Sequence, residues 1–243
     1  MDTLYKEAAD TIKNSNYCVA FTGAGISVES GIPTFRGPTG LWSKYDPKIL
    51  DIDFFINNPK ESWHYIKEIF YDYMQEIKPN YAHIFLANLE KAGYLKGIIT
   101  QNIDNLHQEA GSKNVVEFHG TASKLICLKC QTKYNSKDIS LETLPPYCKK
   151  CGGLLKPDFV FFGEPIPPQA QHKSIELCQN ADSLIIVGTT GEIMPASQLP
   201  YMAKKAKIIE INIEKSNYTE TITDIFLKDR ATVASKKLSN LIF

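Results

Sequence analysis

Four of the six cysteines fall into two C-x-x-C pairs, Cys127 with Cys130 and Cys148 with Cys151, separated by 17 residues. Thiolates are soft, charged ligands, and two such pairs bring four of them to one tetrahedral ion, the geometry zinc prefers. With every position taken by sulfur, none is left for water or substrate, so the ion's role is structural. The chain between the pairs is polar, with Asn135, Ser136, Lys137 and Asp138, and cannot build a core alone. Metal binding would supply the stability it lacks. In a reducing compartment the paired four read as metal ligands rather than as disulfides. Cys18 and Cys178 stand apart in other segments and read as core residues.

A second set of residues surrounds the apolar run Tyr17 to Phe21. The stretch that follows opens with Gly23-Ala24-Gly25, as a dinucleotide-binding loop does. Val28 stands where that fingerprint has its third glycine. A further cluster then follows, Gly31-Ile32-Pro33-Thr34-Phe35-Arg36-Gly37. Among the five histidines, His119 is the candidate for proton transfer. It follows an apolar run and precedes Gly120, so its ring can project without crowding. An imidazole with a pKa of about 6.5 suits general-base work at neutral pH. His83 fits a buried helix position, His64 and His172 fit the surface, and His107 fits a structural place on a short helix near the site.

These residues need elements to hold them. The periodicity predicts helices at 2–13 (with Leu4, Ala8 and Ile12 on one face), 59–77, from Asn80 to Gly93, 104–110, 169–179, 196–205 and 231–241. Asn58 would cap the second, with Pro59 in its first turn and Glu61 reaching back. Strands are predicted at 17–21, 98–100, 115–118, 183–187 and 208–211, with 38–56 irregular. Strands alternating with helices argue for a parallel sheet covered on both faces. Each strand runs into residues that strands disfavour: Thr22-Gly23, Thr100-Gln101-Asn102, His119-Gly120, Gly188-Thr189-Thr190 and Asn212. Ligands bind beyond the carboxyl ends of such strands, so five polar ends outline a crevice.

Composition excludes several classes. The 243 residues carry 27 basic and 27 acidic side chains, 43% hydrophobic and 22% charged residues overall. That balance gives no basic excess to recruit nucleic acid directly. No run of apolar residues is long enough to span a bilayer. The N-terminal stretch is polar, without the apolar centre of a secretion signal, so a cytoplasmic location is expected.

Taken in order, several blocks resemble a sirtuin, an NAD-dependent protein-lysine deacylase. They are Gly23-Ala24-Gly25-Ile26-Ser27, Gly31 to Gly37, Thr100-Gln101-Asn102-Ile103-Asp104 with His107, His119-Gly120, the two cysteine pairs, Phe161-Phe162-Gly163-Glu164 and Gly188-Thr189-Thr190. The resemblance covers nearly the whole chain. Phe54-Phe55 after Asp51-Ile52-Asp53, with the overall brevity, is most similar to the bacterial undifferentiated class.

The resemblance implies an α/β fold: a Rossmann-like parallel sheet with a smaller inserted domain made of a zinc ribbon and a helical module. The larger domain would comprise 1–36, 78–120 and 154–243, and the smaller 37–77 and 121–153. NAD would be the co-substrate, contacted by Gly23, Ala24, Gly25, Ser27, Phe35, Arg36, Gln101, Asn102, Ile103, Asp104, Gly188, Thr189, Thr190 and Asn212. The segment Gly31 to Gly37 would be a glycine-hinged cover over the nicotinamide–ribose bond, with Phe35 shielding the sugar from water. His119 would activate a ribose hydroxyl, with Asn102 as the second catalytic residue. Val160, Phe161, Phe162, Gly163 and Glu164 would receive an acyl-lysine peptide as an added strand. Acylated-lysine proteins or peptides are therefore the expected partners, with no membrane. Free lysine, nicotinamide and O-acyl-ADP-ribose would result.

Some positions depart from the family's pattern. Val28 stands where many members have alanine or threonine, and Gly191-Glu192-Ile193-Met194 differs from the commoner apolar version. Members favouring acidic acyl groups carry a tyrosine and an arginine where this chain has Ile66 and Ile69, so an apolar acyl group is expected. Three other readings stand beside the deacylase: ADP-ribosyl transfer to protein in the same pocket, a hydride-transferring dehydrogenase, and a non-catalytic zinc module.

Overall fold

Apolar runs that end in glycine, threonine or asparagine become parallel strands, because both faces of each are covered by helices. The computed structural model describes residues 2–35, 40–73 and 77–243. In chain order its strands are β1 (Cys18–Thr22), β2 (Leu95–Thr100), β3 (Val115–Glu117), β4 (Gly120–Cys127), β5 (Lys133–Asn135), β6 (Leu155–Phe159), β7 (Ser183–Val187), β8 (Lys207–Asn212) and β9 (Ile225–Lys228). The helices are α1 (Asp2–Asn14), α2 (Ile52–Asn57), α3 (Pro59–Ile66), α4 (Tyr81–Lys91), α5 (Leu106–Glu109), α6 (Pro168–Asn180) and α7 (Ala231–Ile242).

Six strands form one parallel sheet in the order β3-β2-β1-β7-β8-β9. The order reverses between β1 and β7, which places the switch point there. Alternate residues of each strand feed opposite cores. Cys18 and Ala20 of β1 and Ile185 and Val187 of β7 pack with α1, α4 and α7. Val19, Phe21, Leu184 and Ile186 pack on the other face with Leu177 and Cys178 of α6. Cys18 and Cys178 are both buried, as expected of core thiols.

The second sheet is antiparallel, in the order β5-β4-β6. Its core joins Phe55, Trp63 and Ile66 of α2 and α3 to Leu125, Leu155 and Phe159. The Trp63 indole N–H donates to the Leu155 carbonyl at 2.9 Å, tying α3 to β6.

Several local expectations need correction. Leu4 is 41% exposed; the buried stripe of α1 is Tyr5, Ala8, Ala9 and Ile12, which fits the i, i+3, i+4, i+7 spacing better. Of the helix predicted at 59–77, Pro59–Ile66 is α-helical and Lys67–Asp72 forms a wider π turn, while residues 74–76 lie outside the described residues. The Asn58 side chain does not cap α3; it donates back to the Phe54 carbonyl at the end of α2. The helix predicted at 196–205 is two 3-10 turns, Ala196–Gln198 and Pro200–Met202. Pro200 lacks the N–H that a continuous helix would use there. Within the stretch predicted irregular at 38–56, the described residues 40–56 hold most of α2 and 3-10 turns at Leu41–Ser43 and Pro47–Leu50.

Candidate active site

The five polar strand ends meet at one cleft on the carboxyl edge of the large sheet. A cavity of about 1120 Å³ is lined there by Gly23, Gly25, Gln101, His119, Gly188 and Asn212, among others. That exceeds the roughly 300–1,000 Å³ of a site for one small ligand.

Glycine is required where the β1 and β7 loops cross. A Cβ on Gly25 would come within 2.6 Å of the Gly188 α-carbon. One on Gly188, which has φ of 63°, would come within 2.4 Å of the Ile26 nitrogen. Two bare α-carbons therefore let the loops touch, with Gly25 N–H donating to the Gly188 carbonyl at 2.8 Å. This explains the missing third glycine. In a dehydrogenase fingerprint that residue permits close helix–strand packing. Here the 3-10 turn Ala24–Ser30 turns Val28 outward, 46% exposed on the cavity wall.

Side-chain amides then link the neighbouring strand ends. Gln101 donates from Nε2 to Thr189 Oγ1 at 3.2 Å, and Asn212 donates from Nδ2 to the Thr189 carbonyl at 3.0 Å. Ala24, Asn102, Ile103 and Thr190 also line the cavity. Ser27 and Asp104 stand behind its wall. Ser27 Oγ donates to Asp104 Oδ2 at 2.6 Å, and Asn102 Nδ2 donates to Ser27 Oγ at 3.1 Å. Asp104 also accepts the Leu106 N–H at 3.0 Å, so it starts α5 as well. Burial pushes its carboxyl up, opposed by those hydrogen bonds.

His119 faces the cavity, half-buried. Its Nδ1 lies 3.0 Å from the Gln101 carbonyl oxygen, and burial lowers its pKa, opposed by that same hydrogen bond. The other histidines fall as expected. His83 is buried on α4, with its pKa lowered to about 4 by burial, and its ring meets that of His107 at 4.9 Å. His107 is buried, its pKa held well below the ordinary range first by burial and then by His83. His64 and His172 are exposed.

Thr34 and Phe35 line the same cavity, with Phe35 packed on Trp42 at 5.5 Å. Gly31 has φ of 100° and closes the Ala24–Ser30 turn, its N–H donating to the Val28 carbonyl at 2.9 Å and its carbonyl accepting from the Tyr73 hydroxyl at 3.1 Å. Arg36 and Gly37, the other expected members of the cover, lie outside the described residues.

The segment Val160 to Glu164 lines the same cavity. It lies beyond β6 and forms no regular strand, but its backbone is tied on both sides. Val160 N–H donates to the His119 carbonyl at 2.8 Å, and Phe162 N–H donates to the Leu50 carbonyl at 2.8 Å. Phe161 is buried in the smaller core, whereas Phe162 is 49% exposed. Ile66 and Ile69 are buried in that core and do not line the cavity.

The four paired cysteines bring their sulfurs within 4.8 Å of one another. Cys127 and Cys151 sulfurs are 3.5 Å apart, and those of Cys130 and Cys148 are 3.6 Å apart. Sulfurs at tetrahedral corners about 2.3 Å from one ion lie about 3.8 Å from each other, so the set fits zinc. Gly153 stands against it where a Cβ would come within 2.9 Å of Cys127 Sγ. It lies apart from the cavity lining, as a structural site would.

Sequence reasoning missed β9 and with it the cavity-lining Asp229 and Arg230. The only signal was four residues, Ile225 to Lys228, too short to tell from a loop. Trp42 and Leu50 were missed because the 3-10 turns carrying them have no period to detect.

A parallel α/β sheet with a large cleft at its switch point and a closed four-thiolate module defines a nucleotide-binding enzyme class with a structural metal. The chain belongs to the Sir2 family, whose model matches residues 23–195. It is 46% identical over 229 residues to NAD-dependent protein deacylase 2 of Pyrobaculum aerophilum, covering 92% of this chain and 90% of that one. It is 44% identical to an NAD-dependent protein deacylase of Pyrococcus furiosus, covering 96% and 95%. A solved Sir2–p53 peptide–NAD+ complex superposes with a TM-score of 0.89 at 37% identity, covering 97% of each chain.

Proposed function

We propose that this chain is an NAD-dependent protein-lysine deacylase, removing an acyl group from lysine and releasing nicotinamide and O-acyl-ADP-ribose. The observation that carries this reading is the meeting, in one cavity, of the His119 imidazole, the paired glycine loops and the 160–164 edge. A carbonyl oxygen only accepts, so the Gln101 carbonyl fixes the proton of His119 on Nδ1 and leaves Nε2 free as a base.

NAD, when bound, supplies an electrophilic ribose carbon and a nicotinamide leaving group. Gly23, Gly25, Gly188, Thr189, Thr190 and Asn212 would hold its adenosine and phosphate side, where bare backbone allows close approach. Gln101 and Asn102 would hold ribose hydroxyls, and the Ile103 backbone and Asp104 the nicotinamide carboxamide, with Ser27 fixing Asp104. His119 Nε2 accepts a hydroxyl proton, and Phe35 and Trp42 exclude water beside it. The backbone of 160–164 would take an acyl-lysine peptide as an added strand, with little demand on its sequence. The apolar walls favour an apolar acyl group.

Zinc held by Cys127, Cys130, Cys148 and Cys151 would draw two hairpins together and order the smaller unit, taken as 37–77 and 121–153; β6, which the expected bounds put in the larger domain with 154–243, pairs with β4 of that smaller unit. Partners would be acylated-lysine proteins, without direct nucleic-acid binding, in the cytoplasm. Among the described residues no helix is long and apolar enough to cross a membrane.

A panel of acylated peptides incubated with NAD and read by mass tests the reading, with wild type beside His119→Ala. Lysine release by wild type alone is expected; equal release by both would remove His119 as the base. ADP-ribosyl transfer uses the same pocket, and nicotinamide release without any acyl-lysine would favour it instead.

A further inference from the structure

Lys156, in β6, is 4% exposed, an uncommon place for an ammonium group. Its Nζ donates to the Pro157 carbonyl at 2.9 Å and the Phe159 carbonyl at 2.6 Å, and meets Glu164 Oε2 at 2.9 Å. Its three N–H groups are thus matched by three acceptors. It also lies over the Phe161 ring, 4.2 Å from the centroid. The same Glu164 oxygen accepts the Phe161 N–H at 2.8 Å.

An ion pair between buried Lys156 and partly exposed Glu164, which lines the cavity, therefore ties together residues 157, 159, 161 and 164. That is the bend carrying Val160 to Gly163 along the cavity. Lys156 itself does not line the cavity, so it has no ligand to touch. Nor is stability a sufficient reason for it. Desolvating two charges offsets most of their attraction, and apolar pairs of similar volume often replace them without loss. What the pair contributes is a single geometry for a segment that forms no regular strand.

We propose that Lys156 and Glu164 are a positioning pair that sets the backbone of 159–164 for the acyl-lysine peptide. Through the Val160 N–H to His119 carbonyl bond, the pair also holds that edge in register with the base. The proposal rests on the deacylase reading.

The test is steady-state kinetics with an acetyl-lysine peptide and NAD, for wild type, Lys156→Arg, Glu164→Gln and the double variant Lys156→Met/Glu164→Leu. Removing both charges spares the fold the cost of leaving the buried Lys156 ammonium unpaired. The double variant should therefore melt near wild type and keep its zinc and its KM for NAD. Its peptide KM should rise roughly tenfold, the worth of a charge-assisted hydrogen bond. Lys156→Arg, which keeps the charge, should stay closer to wild type. A peptide KM equal to wild type in the folded double variant would overturn the proposal. Should that variant not fold, Glu164→Gln decides: it keeps the shape and removes the charge, and an unchanged peptide KM would be equally fatal. Absence of any NAD-dependent turnover by wild type would overturn the deacylase reading, and the proposal with it.

Discussion

The Nδ1 atom of His119 stands 3.0 Å from the carbonyl oxygen of Gln101, across the ends of adjacent strands β3 and β2. The partner's inability to donate settles which ring nitrogen carries the proton. His119→Ala should lower deacylation by about 10²–10⁴-fold, the usual share of a general base. The thermal melt should be little changed, since the ring is only half-buried. A loss below tenfold in single-turnover assays would assign the proton to another group.

The same ring sets a pH profile. Burial depresses its pKa below the ordinary imidazole value, so the neutral, basic form persists into more acidic solution. As pH falls, activity should hold through about 6.5 and decline only below it. An acid limb of kcat/KM at or above neutral pH would contradict this.

Gly188→Ala places a methyl against the Ile26 nitrogen in a left-handed backbone. The strained conformation alone costs about 1–3 kcal/mol. The collision forces the β1 loop away, so the KM for NAD should rise more than roughly tenfold. The peptide KM should change less, because the 160–164 edge is tied elsewhere. Steady-state kinetics with NAD varied measures the first directly, and isothermal titration should show the NAD dissociation constant weakened alongside it.

Chelating the zinc should expose four thiols to a chromogenic reagent while Cys18 and Cys178 stay protected in the main core. Activity should fall as the module melts, and return on adding zinc. Immediate reaction of all six thiols would mean that the large sheet depends on the ion too.

Trp63→Ala should destabilise the protein by about 3–5 kcal/mol, as large core truncations do. It empties a fully buried site and orphans the Leu155 carbonyl. Trp63→Phe should cost less. Urea midpoints at constant slope report both.

What could be read before the structure, and what could not, divides along range. Strand β7 was placed to the residue because Ser183 to Val187 is a continuous apolar run with turn residues on both sides. The polar strand ends converged as expected because the parallel sheet puts all carboxyl ends on one edge. Helix 196–205 failed because its apolar spacing hid the effect of Pro200 on the backbone. The cover expected at Gly31 to Gly37 came from the family resemblance, and of it Thr34 and Phe35 could be followed to the cavity. The Lys156–Glu164 pair gave no warning at all. A lysine in a strand reads as a solvated residue, and only tertiary folding brings a carboxylate eight positions away onto it.

Gly25 and Gly188 touch as bare backbone, with no side chain on either partner to trim. A bulky group elsewhere in a protein can be relieved by a smaller neighbour; here nothing smaller exists. A genetic screen for suppressors of Gly188→Ala should therefore return reversion of that codon and no second-site compensation within the contact.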